Sequence, residues 1–221
     1  MFNIWTINYA AGGGITPAPT DQLIAEYLLA WNALDTSWNW NDWTPSNITY
    51  VASSYGWETQ QAEFNGTNST INTNINNIST YADISYACSF TVDTVWGVCS
   101  LINNDLWLRM LVNAGDIYCD SRSSTAVYSF VTTPISALTQ YIVVLTFKQN
   151  WQMKLYLDWV MKSSTAVTNR ENADSFGLWL WVDNRTSQTL FHDWKLGLAR
   201  IYWKELSQSE VNDLTDNWNE I

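Results

Sequence analysis

From Leu23 onward, apolar and polar residues alternate in short runs. LIAEYLL, ITYVAS, TQQAEFNG and STINTNI come first, followed by ADISYACSFTVDTV, DLWLRMLVN, DIYCDS and TAVYSFVT. YIVVLTFKQN, MKLYLDWVM, SFGLWLWVDN and KLGLARIYWKEL complete the series. Many of these runs keep a period of two, which sends successive side chains to opposite faces, the pattern of half-buried antiparallel strands. Val, Ile, Thr, Tyr and Phe fill these runs, and Asn, Asp and Gly divide them. Together they predict an all-β sandwich of two antiparallel sheets. One segment changes period. LSQSEVNDL (206–214) reads as a short C-terminal helix, with Ser207 as N-cap and Glu210 at the capping-box spacing.

The first residues follow neither pattern. Gly12, Gly13 and Gly14 are flexible, and Pro17 and Pro19 are stiff. Residues 1–20 are therefore expected to form a flexible tail and 21–221 a single domain, a size common for all-β folds. The opening MFNIWTINYAAGGG has no basic start and no apolar run, so it does not read as a Sec signal. No stretch has the length and apolarity of a membrane span.

Composition narrows the partners. The chain is 47% hydrophobic but only 14% charged, with 21 acidic against 10 basic residues and a formal charge of −11. That balance argues against nucleic acid and anionic membrane. Asn, Ser and Thr supply much of the polarity, as in INTNINNIST (71–80), which suits an extracellular or virion setting. In a virion the tail would serve as an attachment arm. Cys88, Cys99 and Cys119 lack metal-ligand spacing and read as buried free thiols, with a Cys88–Cys99 bridge as the alternative.

Catalytic signatures are absent from the sequence. His192 is the single histidine, and no nucleophile motif accompanies it. Glu26, Glu58, Glu63, Asp83, Asp93 and Asp105 are scattered, not set on one strand face as a glycosidase pair requires. Two other constellations share DTSWNWNDWTPS (35–46). Asp35, Asn39 and Asp42 have the oxygen chemistry of a calcium site, or of Asx-turns that bond their own backbone. Trp38, Trp40 and Trp43, if exposed, form an aromatic platform for sugar rings.

Four segments carry a family resemblance. EYLLAWNALDTSWNWNDWTPSN resembles the opening of laminin-G-like, concanavalin-A-like domains, where a strand is followed by a turn of the form GNAxDxSGNGNDGT. AEFNGTNSTI resembles the next signature, F-x-G-x-x-S-x-I. LTFKQNWQMKLYLDWV resembles a hairpin that usually reads NGxxKLYLDGV, and HDWKLGLARIYWKELSQSEV resembles the closing strand and helix. The matches fall in family order from 21 to 216. The resemblance implies a jelly-roll sandwich of the concanavalin-A-like type and raises the expectation of calcium at its rim.

The departures from that pattern are of one kind. Trp31, Trp38, Trp40, Trp43, Trp151, Trp159 and Trp194 all stand where the family carries glycine. Ordinary divergence would scatter such positions among many residue types. A single codon accounts for the uniformity: UGA is tryptophan in some genetic codes and glycine in others. Turn physics agrees, because Asp-Gly and Asn-Gly suit tight hairpins while a bulky residue at positive φ is an outlier.

The sequence thus predicts non-catalytic recognition of a glycan or a protein surface, at a virion or cell surface. The rival is a decoration or assembly protein of a phage particle or surface layer, with no ligand of its own.

Overall fold

The structure is a computed structural model. It describes residues 20–53, 60–73, 75, 82–93, 95, 98–104, 108–122, 127–167, 179–180 and 193–218. The tail expected at 1–20 lies outside these residues except for Thr20, and His192 also lies outside them.

In chain order the strands begin with β1 (Leu23–Tyr27), β2 (Trp43–Ser46), β3 (Ile48–Ala52), β4 (Gln60–Asn65) and β5 (Thr70–Thr73). Next come β6 (Asp83–Val92), β7 (Val98–Asn104), β8 (Leu108–Asn113), β9 (Asp116–Arg122) and β10 (Val127–Pro134). The last are β11 (Gln140–Lys148), β12 (Gln152–Leu157), β13 (Val160–Ala166), β14 (Trp179–Leu180) and β15 (Asp193–Tyr202), followed by the helix α1 (Gln208–Trp218). One eight-stranded sheet runs β13-β12-β11-β6-β15-β4-β3, with β1 also paired to β15. One seven-stranded sheet runs β10-β9-β8-β7-β14-β5-β2. The pairings are antiparallel throughout, and β10 packs beside β12 and β13 at one side of the sandwich. The all-β, two-sheet architecture with its terminal helix is the one the alternation predicts.

β6 shows how the layers form. Ile84, Tyr86, Cys88, Phe90 and Val92 face the other sheet and join Met110, Val112, Ile117 and Cys119 in the core. Ala87 on the opposite face meets Ile142, Val144, Tyr156, Leu198 and Tyr202, and Val211 and Leu214 of α1 cover them. The middle of this sheet is therefore buried on both faces, which is why β11 reads as a continuous apolar run, not an alternation. Val211 and Leu214 have no exposed surface, and each contributes roughly 1.5–3 kcal/mol by burial.

The helix start is the capping box read from the sequence. The Ser207 N–H and hydroxyl both donate to Glu210 Oε2 at 2.8 Å, and the Glu210 N–H returns a bond to Ser207 Oγ at 3.3 Å. Lys204 Nζ also bonds Glu210, and it reaches Asp21 at 2.8 Å.

Two strands were not anticipated. β2 carries the composition of a turn and includes Pro45, which an edge strand tolerates. β7 follows β6 closely in sequence yet lies in the other sheet. Cys88 and Cys119 are buried on inner faces of opposite sheets and are not joined in a disulfide, and Cys99 lies on β7. Burial pushes the Cys119 thiol well up, with Asp120 adding to the effect.

Candidate functional site

The segment joining β1 to β2, residues 28–42, is the most exposed apolar part of the described chain. Trp31, Leu34, Trp38 and Trp40 all project from it, with Trp38 85% and Trp40 81% exposed. It is nonetheless tightly held. Asp35 is its hub: Oδ1 accepts from the Glu26 N–H at 3.0 Å and the Ser37 N–H at 2.9 Å, and Oδ2 accepts from the Asn41 N–H at 3.0 Å. Asp42 Oδ1 accepts from the Asp35 N–H at 2.8 Å. One carboxylate thereby ties the middle and the end of the loop to β1. Bonds of this charge-assisted kind contribute about 1.5–3 kcal/mol each.

Asparagines complete the frame. Asn39 Nδ2 donates to Leu23 O at 2.8 Å and Ile24 O at 3.1 Å, and Asn41 Nδ2 donates to Ile24 O at 2.8 Å. The Tyr27 hydroxyl donates to Asn41 O at 2.6 Å. Burial pushes the Tyr27 hydroxyl far above its ordinary range, and nearby Asp35 and Asp42 add to this. That phenol stays a neutral donor.

These contacts decide how the predicted site residues combine. Asp35, Asn39 and Asp42 do come together, as organisers of the loop backbone. They do not fit a shared calcium site: Asp35 engages backbone N–H groups with both oxygens, and Asn39 points its amide nitrogen at carbonyls. Among the described residues no three His, Cys, Asp or Glu side chains gather to hold a metal ion.

The expected three-indole platform needs correction. Trp38 and Trp40 are exposed, but Trp43 is 4% exposed and belongs to the core. The reason is register: β2 pairs with β5 so that Trp43 opposes Thr73 and turns inward. There its ring lies 3.3 Å, centroid to centroid, from that of Tyr27 at 25°. Aromatic pairs prefer separations of about 4.5–7 Å, so this pair is crowded.

The scattered acids have structural partners. Arg200 Nε donates to Glu26 Oε2 at 2.6 Å, and Lys195 lies 3.8 Å from Glu63 and 3.3 Å from Asp93. Glu58 and Asp105 lie outside the described residues.

Sequence reading missed one feature of the seven-stranded sheet. Arg109 on β8 and Asp120 on β9 form a bidentate pair, with Nε–Oδ1 at 2.8 Å and a second bond from Nη2 to Oδ2. Both are buried. They sit in one row that crosses all seven strands: Phe130, Asp120, Arg109, Asn103, Trp179, Asn72 and Thr44 are successive cross-strand partners. The signal was available. Counting outward from the two-residue turn Ala114-Gly115 pairs Arg109 with Asp120 directly.

The fold defines the class: an antiparallel two-sheet β-sandwich closed by a C-terminal helix. No family model and no curated protein matches the chain. Solved structures do. The receptor binding domain of botulinum neurotoxin C/D mosaic serotype superposes with a TM-score of 0.74 at 16% identity, covering 90% of this chain and 52% of that one. The botulinum neurotoxin serotype D binding domain gives 0.73 at 16% identity with the same coverages. The serotype C1 binding domain gives 0.72 at 12%, again over 90% and 52%. The chain thus spans about half the length of these structures, and at such identity the likeness is one of fold.

Proposed function

We propose that the chain is a non-catalytic recognition module that binds a glycan or a protein surface, at a virion or cell surface, and that the loop 28–42 makes the contact. One observation carries the reading: this loop combines high exposure with a backbone fixed by Asp35. A preorganised, exposed loop loses little conformational freedom on binding, which is where affinity is otherwise forfeited. The exposed main chain at residues 38–40 brings hydrogen-bonding groups, and the residues at 38 and 40 set the outermost surface of the loop.

Three further points support the reading. The similar folds are those of a receptor binding domain and a binding domain of botulinum neurotoxins. Glu26, Glu63 and Asp93 are engaged with cations, not set as an acid–base pair. The motif order resembles laminin-G-like, concanavalin-A-like domains, a group to which we assign the chain within this proposal.

The test is a glycan array probed with the full chain and with a loop variant, Ser37→Ala/Asn39→Ala, followed by melting with the best hit. Retention by the chain, loss by the variant and a rise in Tm with ligand are expected. An array without hits and an unmoved Tm would favour the rival role in decoration or assembly.

A further inference from the structure

We infer that the backbone at positions 38, 40 and 159 is built for glycine, and that the protein in its natural source carries glycine there. Three observations lead to this.

The first is conformation. Trp38, Trp40 and Trp159 have φ of 69°, 60° and 68°. In that region the Cβ of an L-residue crowds the following carbonyl, and glycine alone escapes the strain. Tryptophan supplies three of the ten non-glycine residues at positive φ among those described, against two asparagines. Asparagine tolerates this region through local hydrogen bonds. Tryptophan has no such means, so its excess calls for another cause.

The second is a comparison within the chain. The β8–β9 hairpin turns through Ala114 and Gly115, both at positive φ (50° and 95°). The β12–β13 hairpin turns through Asp158 and Trp159, also both positive (47° and 68°). This is the geometry of a type I′ turn, for which glycine is the favoured second residue. One hairpin has it and the other has tryptophan.

The third is crowding at Trp43. Trp43, the first residue of β2, packs its ring against Tyr27 more closely than rings prefer. A glycine there removes the conflict.

The structure also divides the seven suspect positions. Trp31, Trp43, Trp151 and Trp194 have no positive φ; the left-handed residues are Leu29, two positions before Trp31, and Asn150, directly before Trp151. Trp194 is buried and meets Phe90 edge-on at 6.1 Å, an ordinary aromatic contact. Backbone conformation thus assigns glycine at 38, 40 and 159, and crowding extends the case to 43. One cause covers them all: UGA codons for glycine, translated as tryptophan.

The inference bears on the proposed binding role: with glycine at 38 and 40 the loop keeps the backbone that Asp35 fixes and offers main-chain groups in place of indoles. The melting experiment below reads the backbone alone, so its failure is distinct from a failure of the binding reading. The experiment compares Tm for three recombinant chains: the tryptophan-bearing parent, Trp38→Gly/Trp40→Gly, and Trp38→Ala/Trp40→Ala. Both indoles are largely exposed, so removing them forfeits little packing. The glycine pair is expected to melt about 4 °C or more above both other chains. Alanine matching glycine would show that the indoles, not the left-handed backbone, set the difference. That result would overturn the inference, as would a gene carrying UGG at positions 38, 40 and 159.

Discussion

Gly115 and Trp159 occupy the same position of the same kind of turn, at φ 95° and 68°. The first is an unstrained glycine with nothing within 4 Å of where a Cβ would stand. The second places an indole on an equivalent backbone. The difference isolates conformational strain from steric clash and makes Gly115 a calibrator. Gly115→Ala is expected to cost about 1–2 kcal/mol from backbone strain alone. Urea unfolding with an unchanged m-value would measure it. A neutral substitution would mean that this turn relaxes to accept a side chain.

Asp35 accepts from one N–H of β1 and two of the loop, so its removal leaves three donors without their acceptor. Asp35→Ala is expected to lower stability by about 2–4 kcal/mol. Asp35→Asn, which keeps an acceptor oxygen, is expected to cost about half as much. Equal and small effects in both variants would show that the loop is held by other contacts.

Arg109 and Asp120 are buried together, so the two single changes and the double change should differ in kind. Arg109→Met leaves an uncompensated buried carboxylate and is expected to cost about 3–5 kcal/mol. Arg109→Met/Asp120→Leu removes both charges and is expected to recover most of that loss. A double-mutant cycle on unfolding free energies measures the coupling.

The capping box gives a pH dependence of definite sign. Burial alone would raise the Glu210 pKa, but bonds from Lys204 and Ser207 hold it below the usual glutamate range. The carboxylate is therefore easier to ionise in the folded chain. Its contribution is complete above the unfolded glutamate pKa of about 4.3 and is lost as pH falls through the lower folded value. Glu210→Gln is expected to be less stable than the parent at neutral pH, with the gap closing in acid. Thermal melts across that range would show a constant gap if the bonds were unimportant.

Calcium is expected to leave Tm unchanged, because Asp35 and Asn39 turn toward the backbone. Melting with millimolar calcium and with a chelator checks this. A rise with calcium would show that the loop exchanges its internal bonds for metal ones.

The fold was legible where a local rule operates. Period-two alternation placed most of the strands, and Ser207 with Glu210 placed the helix start. β2 was not legible, because Trp43, Thr44, Pro45 and Ser46 resemble a turn until β5 supplies a partner. β7 was hidden for the same reason: its place depends on β8 and β14, not on its own pattern. For the loop, sequence indicated Asp35, Asn39 and Asp42 as a group but not their direction. Whether a carboxylate faces inward to N–H groups or outward to an ion depends on the backbone path. Trp43 was misassigned because turn composition suggested exposure, whereas pairing with β5 turned it inward.

If the loop 28–42 is the recognition surface, amide hydrogen exchange on the full chain, with and without its best glycan-array ligand, will show it. Protection is expected to rise mainly over residues 35–42. Protection confined to the outer face of the seven-stranded sheet, around Phe130 and Asn72, would place the binding surface there instead.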